Sequence, residues 1–490
     1  MRTKKEVNSD KNIISSEIES NKAIMNDMFT SVLNSDFKSK EFVLHQTGQK
    51  ALLFYYSSAV DTTKIQQGII RPLIEKGDSD VLNTVTLDSI EEVHTFDEAA
   101  SRISEGKAIL YIDGVKGCYS IDVTKFEHRS IEKAENENVV KGPKDAFTES
   151  MPFNLSLLRK RIQDKDLIAE SIKVGERSKL VVNVMYIKNI ANEEIIENVR
   201  ERLEKIEVDS VQNLELLEQY IEERPYSMVP SLLYTERPDK AAAFLRDGYI
   251  ILLMDNSSAC LILPVTFWSF FHTTEDRYLR LIFGNFSRII RMVAIFITLF
   301  TSAIYIAITN FHSEMIPMDL LLAISSAREK VPFPAVVEVV IMEFAFELIR
   351  EAGLRIPSPL GPTIGIVGAI IIGQAAVQAN VISPIIIIVV SLSGLSSFTV
   401  SDVSFNYTVR LSRFIFITAA SLYGIYSLTG AFILWVVYLV SLTSFGVSFL
   451  SPVSPNTVSS NDTFLRRALI KEEFRPGYLR LRDLRKKKKV

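Results

Sequence analysis

Three carboxylates, Glu343, Glu347 and Glu351, recur every fourth position across AVVEVVIMEFAFELIREAG (335–353). Two amides, Gln374 and Gln378, recur at the same interval in TIGIVGAIIIGQAAVQA (363–379). A four-residue interval places side chains on one helical face. A charged group at the centre of a bilayer costs roughly 2.5–3.5 kcal/mol even on lenient scales. The acid face, with Glu338 well off it, must therefore meet a wet cavity, a basic partner or the membrane interface. It reads either as a cation-attracting vestibule or as an interfacial helix whose acids pair with Arg350 or Arg355. The amide face cannot lie against lipid without leaving polar groups unsatisfied. It lines a pore or, as the residues alone favour, bonds one helix to another. Gly365, Ala369 and Gly373 form a stripe of small residues on the same segment, which lets helices approach closely within lipid.

Nothing else has the spacing of a reactive centre. The histidines, His45, His94, His128, His272 and His312, stand apart and match no metal-ligand pattern. There is no nucleophile elbow, Walker-type phosphate loop or dinucleotide fingerprint. Neither an enzyme nor a bound cofactor or metal is expected. Cys118 and Cys260 are too few for a disulfide framework. Both fall in predicted strands and read as buried free thiols. A formal net charge of −3 gives nucleic acid no electrostatic footprint. The basic run RKKKKV that closes the sequence reads instead as a topology signal attracted to anionic lipid.

The elements that carry the acids and amides are expected to be membrane helices. Hydrophobic residues make up 47% of the chain and charged residues 23%, an average that would suit a soluble protein. The charges are unevenly placed, however. Residues 1–287 mix both signs throughout, whereas 289–449 contain long stretches with none. That split separates a soluble half from a membrane domain, 288–450, and a basic cytoplasmic tail, 451–490. A bilayer core needs about 20 apolar residues of helix, and IIRMVAIFITLFTSAIYIAIT (289–309) supplies them. The segments 363–379 and 384–400 are shorter but uncharged. Residues 414–445 are too many for one upright helix, and Gly424 and Gly430 could divide them. Four or six crossings follow, depending on whether the acid-bearing stretch crosses or lies in the interface. The number is even because basic residues flank the first span and close the chain, placing both ends on the cytoplasmic side. The N-terminus lacks the apolar core of a signal peptide.

The soluble half reads as α/β and contains a repeat. Residues 1–40 are polar and read as a mobile or weakly helical tail. A first subdomain, 41–128, holds the β-rich run ALLFYYSS (51–58), with Asp61 as the N-cap of a following helix. A second, 154–287, holds LVVNVMYI (180–187), with Asn192 in the same role. Each closes with a helix, a glycine and a hairpin. At a constant offset Gly106 meets Gly248, Asp113 meets Asp255 and Cys118 meets Cys260. Between the units, 129–153 is a linker with a Gly142-Pro143 stop.

VPFP (331–334), MEFAFELIREAGLRIPSPLGPTIGIVGAIIIGQAAVQANVISP (342–384) and SFTV (397–400) resemble the signature core of the GerA-family A subunits of bacterial spore germinant receptors. KGPKDAFTES (141–150) and YTERPDKAAAFLRDGYIILLMD (234–255) are similar to two further segments of that family. The likeness spans about residues 41–455. It implies a multi-pass protein of the spore inner membrane that works with a transporter-like B subunit and a lipoprotein C subunit. It further implies a homo-oligomer, a pentamer, around a cation channel that nutrient opens. On that reading Gln374 and Gln378 become pore candidates. Ile366, Ile370 and Val377, on or near the same faces, become a constriction able to gate by dewetting. A non-conducting membrane scaffold, a solute transporter and a related germination-amplifying subunit of the same family are the competing expectations.

Overall fold

The computed structural model of the chain describes residues 12–76, 81–87, 89–126, 137, 139–355, 368, 371, 373–459 and 462–486. Its N-terminal half holds two five-stranded antiparallel sheets. β1 (Phe37–Val43), β2 (Lys50–Tyr56), β3 (Ile90–Val93), β4 (Ala108–Ile112) and β5 (Cys118–Ile121) take the order β1-β2-β4-β5-β3. β6 (Leu167–Val174), β7 (Leu180–Ile187), β8 (Leu233–Thr235), β9 (Ile250–Met254) and β10 (Cys260–Leu263) take the order β6-β7-β9-β10-β8. The two orders are the same, strand for strand. So is the register of the last hairpin: Leu110 faces Tyr119 in the first sheet, and Leu252 faces Leu261 in the second, at the displacement that carries Cys118 onto Cys260.

Alternation along the strands builds a core on each face of the first sheet. Leu52, Phe54 and Tyr56 point to α1 (Ile18–Met28) and α2 (Phe96–Ser104). Ala51 and Leu53 point the other way, to Ile65, Ile69 and Leu73 of the helical run that begins at Thr62. Asp61 caps that run, its carboxylate accepting from the Thr63 N–H at 2.9 Å. Residues 18–28, expected as part of a polar tail, thus form a packed helix that buries Ile18 and Met25. In the second unit α3 (Met151–Arg161), α4 (Glu193–Glu204), α5 (Leu214–Ile221) and α6 (Pro238–Arg246) surround β6–β10. Asn192 caps α4 through the Glu194 N–H at 3.0 Å. Gly106 and Gly248 follow α2 and α6 with φ of 93° and 91°, the left-handed region that a β-carbon disfavours. Cys118 and Cys260 are free and buried.

The C-terminal half is helical. α7 (Leu281–Phe311), α8 (Met318–Arg328), α9 (Ala335–Arg355), the helical stretch 373–378, α10 (Pro384–Ser397), α11 (Val403–Tyr423) and α12 (Ile425–Ser441) follow in order. Among the described residues α7 is the one helix long and apolar enough to cross a membrane; α10 and α12 are apolar but shorter. α7 has 31 residues, so it is about 46 Å long. It packs along α10 and α11, while α9 rests on α10 and α12 on α11. Gly424 divides α11 from α12 at φ 64°. A β-carbon there would meet Phe311 Cβ at 2.8 Å. Gly430 divides nothing and lies inside α12.

The segment 462–486 returns to the soluble half as a strap rather than a free basic tail. Arg466 and Asn285 exchange hydrogen bonds of 2.8 and 3.1 Å. The Leu479 carbonyl accepts from Asn192 at 3.0 Å, and the Leu481 side chain packs against the bare face of Gly248.

Candidate functional site

Buried charge is costly unless it is paired and hydrogen-bonded, so the charged residues inside the apolar helices are where structure and function meet. Glu343 and Glu347 stand one turn apart on α9. They face Arg410 and Arg413, three residues apart on α11. Arg413 Nη1 lies 3.0 Å from Glu343 Oε2, and its Nη2 lies 2.8 Å from Glu347 Oε1. Arg410 Nε adds a bond of 3.1 Å to the same Glu347 oxygen, and its Nη2 reaches the other. α7 contributes Ser302, whose hydroxyl donates to Glu343 at 2.6 Å. α10 contributes Ser393, which accepts from Arg413 at 3.1 Å and donates to the Thr298 carbonyl of α7 at 3.1 Å. Glu343 and Arg413 are fully buried. Four helices therefore converge on one ion-paired cluster.

A second pair closes the far end of α9. Glu338, also fully buried, accepts from the Ser383 N–H at 2.8 Å, where Ser383 caps α10, and lies 3.4 Å from Arg328 Nε of α8. The Arg328 charge is thereby matched by Glu338.

In this arrangement Glu343 and Glu347 face arginines of α11 rather than an open vestibule. The expected basic partners were nearer in sequence. Arg350 instead donates to the Gly394 carbonyl at 3.2 Å and stacks over Phe398 at 4.4 Å. The Arg355 side chain lies outside the described residues. Glu351 lies on the exposed surface of α9. Gln374 and Gln378 are exposed, Val377 is half-buried and Gly373 is buried. A β-carbon on Gly373 would find only ordinary contact, 3.8 Å to Ile387, so no described neighbour within the chain requires a glycine there. Gly365, Ile366, Ala369 and Ile370 lie outside the described residues. Sequence reasoning missed the roles of Arg410 and Arg413. The rule applied to the acids, that charge in an apolar helix needs a partner, applied equally to TVRLSRFIF (408–416). Spacing within one helix does not say which other helix answers it.

The cluster connects to the soluble half by two routes. At the base of α7, Arg288 and Arg291 both bind Asp276, at 3.2 and 3.1 Å, and Arg288 also binds Asp462 of the strap. Burial alone would raise the Asp276 carboxyl, but the hydrogen bond and charge of Arg291 and the charge of Arg288 hold it below the usual carboxylate range. His272 beside them gives Nε2 to the Thr463 carbonyl at 2.6 Å. Burial and the Arg288 charge push its imidazole down to about 4, so it is neutral near pH 7. At the start of α11, Asp402 caps the helix through the Phe405 N–H at 2.7 Å, and Thr408 donates to the Met228 carbonyl. A cavity of about 290 Å³ separates Asp402 from Glu215 and Glu218 of α5, with Glu137 and Glu236 on its rim. Burial, with the charges of Glu222 and Asp402, pushes the Glu218 carboxyl up to about 8. Burial pushes Asp402 up to about 6 against the bond from Phe405.

Among the described residues no cluster of His, Cys, Asp and Glu could hold a metal ion. The arrangement binds helices together and links them to the α/β units.

Comparisons with known proteins agree along the chain. The sequence matches the GerA family, described as Bacillus/Clostridium GerA spore germination protein, over residues 23–478. Spore germination protein KA of Bacillus subtilis (strain 168) is 37% identical over 435 residues, 86% of this chain and 80% of that protein. Spore germination protein A1 of the same organism is 37% identical over 429 residues, 86% and 89% of the two chains. An uncharacterized membrane protein of that organism, YfkQ, is 35% identical over 438 residues, 88% and 85%. The crystal structure of the N-terminal domain of the A subunit of the Bacillus megaterium spore germinant receptor GerK3 shares 25% identity, covering 52% of this chain and 97% of that one, with a TM-score of 0.41. With the family matched over residues 23–478 and relatives 37% identical over 86% of the chain, the chain belongs to the GerA family of spore germination receptor A subunits.

Proposed function

We propose that this chain is a multi-pass subunit of a nutrient-responsive receptor in the spore inner membrane, and that several copies, five on the family likeness, enclose a cation path. A transporter-like B subunit and a lipoprotein C subunit complete the receptor in this reading. The observation that carries it is the four-helix charge cluster around Glu343, Glu347 and Arg413. Such a cluster holds one packing rigidly, and a gate needs two packings of comparable energy that a ligand can bias. While α9 and α11 stay clasped, the acids are neutralised. When the helices part, Glu343 and Glu347 become free carboxylates, the vestibule that a cation path requires, and Glu351 extends it.

Three further features support the reading. Phe296, Ile388 and Leu434 leave apolar side chains exposed on α7, α10 and α12, as suits lipid. The strap meets the base of α7 at Arg288, as suits a helical half with both ends on the cytoplasmic side. Gln374 and Gln378 are exposed on the single chain, and a second copy or water would satisfy them. Val377, with Ile366 and Ile370, supplies the apolar constriction. Gly365, Ala369 and Gly373 supply the close approach between copies.

Purified protein in liposomes tests this when oligomer mass and potassium efflux are measured on the same particles. A multimer with regulated efflux is expected. A monomer, or a multimer silent with its B and C partners and nutrient present, contradicts it.

A further inference from the structure

A cavity of about 100 Å³ lies where α6, the base of α7 and the C-terminal strap meet. That is room for several waters or a small ligand. Lys240, Arg277, Arg288, Trp268, Asp247 and Asp462 are among its walls. Two of the three cations are already committed. Lys240 Nζ lies 2.6 Å from Glu137, and Arg288 is held by Asp276 at 3.2 Å and by Asp462. Arg277 is shared among three carboxylates at longer range. Its Nη2 stands 3.6 Å from Glu472, 3.7 Å from Asp462 and 4.0 Å from Asp247, beyond good hydrogen-bond range. Asp247 has a closer cation in Lys486 at 2.6 Å, and Asp462 has one in Arg288. Trp268 is 8% exposed, and its indole N–H has no acceptor among the described residues. A loosely held guanidinium and an orphan N–H on one cavity ask for an oxygen-rich anion. A guanidinium fork fits phosphate in particular.

We propose that this cavity binds a phosphate group, with Arg277 as its charge partner and the Trp268 N–H as a second donor. The phosphate comes either from solution or from the headgroup of a lipid, since the site adjoins the helix most suited to a bilayer. The second source rests on the membrane reading above; the first does not.

The full chain in an uncharged detergent is titrated with sodium phosphate at constant ionic strength, with acetate and chloride as controls, and its melting temperature is followed. The same protein is then compared in phosphatidylcholine nanodiscs with and without phosphatidic acid. A saturable rise with phosphate alone assigns free phosphate. No response in detergent, but a rise with phosphatidic acid, assigns the lipid. In either case Arg277→Gln should weaken the response at least tenfold and Trp268→Phe several-fold. Trp268→Phe keeps an aromatic ring and carries the test if Arg277→Gln fails to fold. Equal responses to all three anions, no response in either setting, or unchanged responses in both variants would overturn the assignment.

Discussion

The guanidinium of Arg159 lies 3.1 Å from the carboxylate of Asp36, and both side chains are almost wholly buried. Arg159 belongs to α3 of the second α/β unit, and Asp36 precedes β1 of the first. Arg159 also donates to the Leu167 carbonyl at 2.7 Å and lies over the Tyr56 ring at 3.9 Å. Asp36 accepts in addition from Ser57 and Ser58. Arg159 is the buried charged link between the two units, beside the bonds that Ser35 makes to the Ala169 carbonyl and to Ser171. Removing one member of a buried pair strands the other. Arg159→Met is expected to cost about 3–5 kcal/mol in denaturant unfolding and to make the two units unfold separately. A single unfolding transition at the wild-type midpoint would contradict this.

The Glu343–Arg413 pair makes a similar prediction inside the helical half, with a different remedy. Arg413→Met should destabilise by about 3–5 kcal/mol, whereas two apolar partners of similar volume can be nearly neutral. Glu343→Met combined with Arg413→Met should therefore recover much of the loss. The recovery is incomplete because Glu347 loses Arg413 but keeps Arg410. A double-mutant cycle on thermal stability in detergent measures the coupling. Additive losses would show that the two residues do not act as a pair.

Two glycines should respond in opposite directions. Gly248 has φ 91°, and a β-carbon would come within 2.4 Å of Leu481. Gly248→Ala should cost about 1–3 kcal/mol through backbone strain and loosen the strap. Limited proteolysis after Leu481 reads the loosening. Gly430 lies in the middle of α12, where an added methyl would meet no described atom within 4 Å. Gly430→Ala should stabilise by about 1 kcal/mol on helix propensity. A loss of stability at Gly430 in the assembled receptor, but not in the single chain, would place that face against another subunit.

The acid cavity between α5 and α11 sets a pH dependence. The Glu218 carboxyl sits at about 8 in the folded chain, far above its ordinary value. The folded state therefore binds this proton more tightly than the unfolded state. Its contribution to stability is fully present below about pH 4.3 and is lost as pH rises towards 8. Glu218→Gln should leave the melting temperature unchanged at pH 4 and raise it by roughly 2–4 °C at pH 8. An equal shift at both pH values would mean that the carboxyl does not titrate as placed.

Much of the soluble fold was legible in the residues. Asp61 and Asn192 cap the helices expected of them, and Gly106 and Gly248 share one backbone conformation at one offset. These are local signals, written in the residue that performs each task. The packing of α1, in a stretch read as mobile or weakly helical, escaped because its polar exposed face hides the spacing of Ile18 and Met25. The strap escaped because its anchors are backbone groups and single side chains, such as Leu479 and Asp462, spread along an irregular segment. The acid stripe on α9 was visible, but the basic partners weighed for it, beside a vestibule, were the nearest arginines in sequence, Arg350 and Arg355. Pairing across helices depends on the packing of α9 against α10 and α11, which no periodicity within α9 contains.

A cation path of the proposed kind requires the face bearing Gln374 and Gln378 to meet water. The native thiols, Cys118 and Cys260, are buried, and burial pushes Cys118 up to about 12, so background labelling is low. Gln374→Cys and Gln378→Cys, in receptor reconstituted with its partners, should react with a membrane-impermeant thiol reagent faster once nutrient is added. The control Ile388→Cys, on an exposed apolar position of α10, should not react. Labelling of all three at the same slow rate, with and without nutrient, would show the amide face lying against acyl chains and would contradict the proposed path.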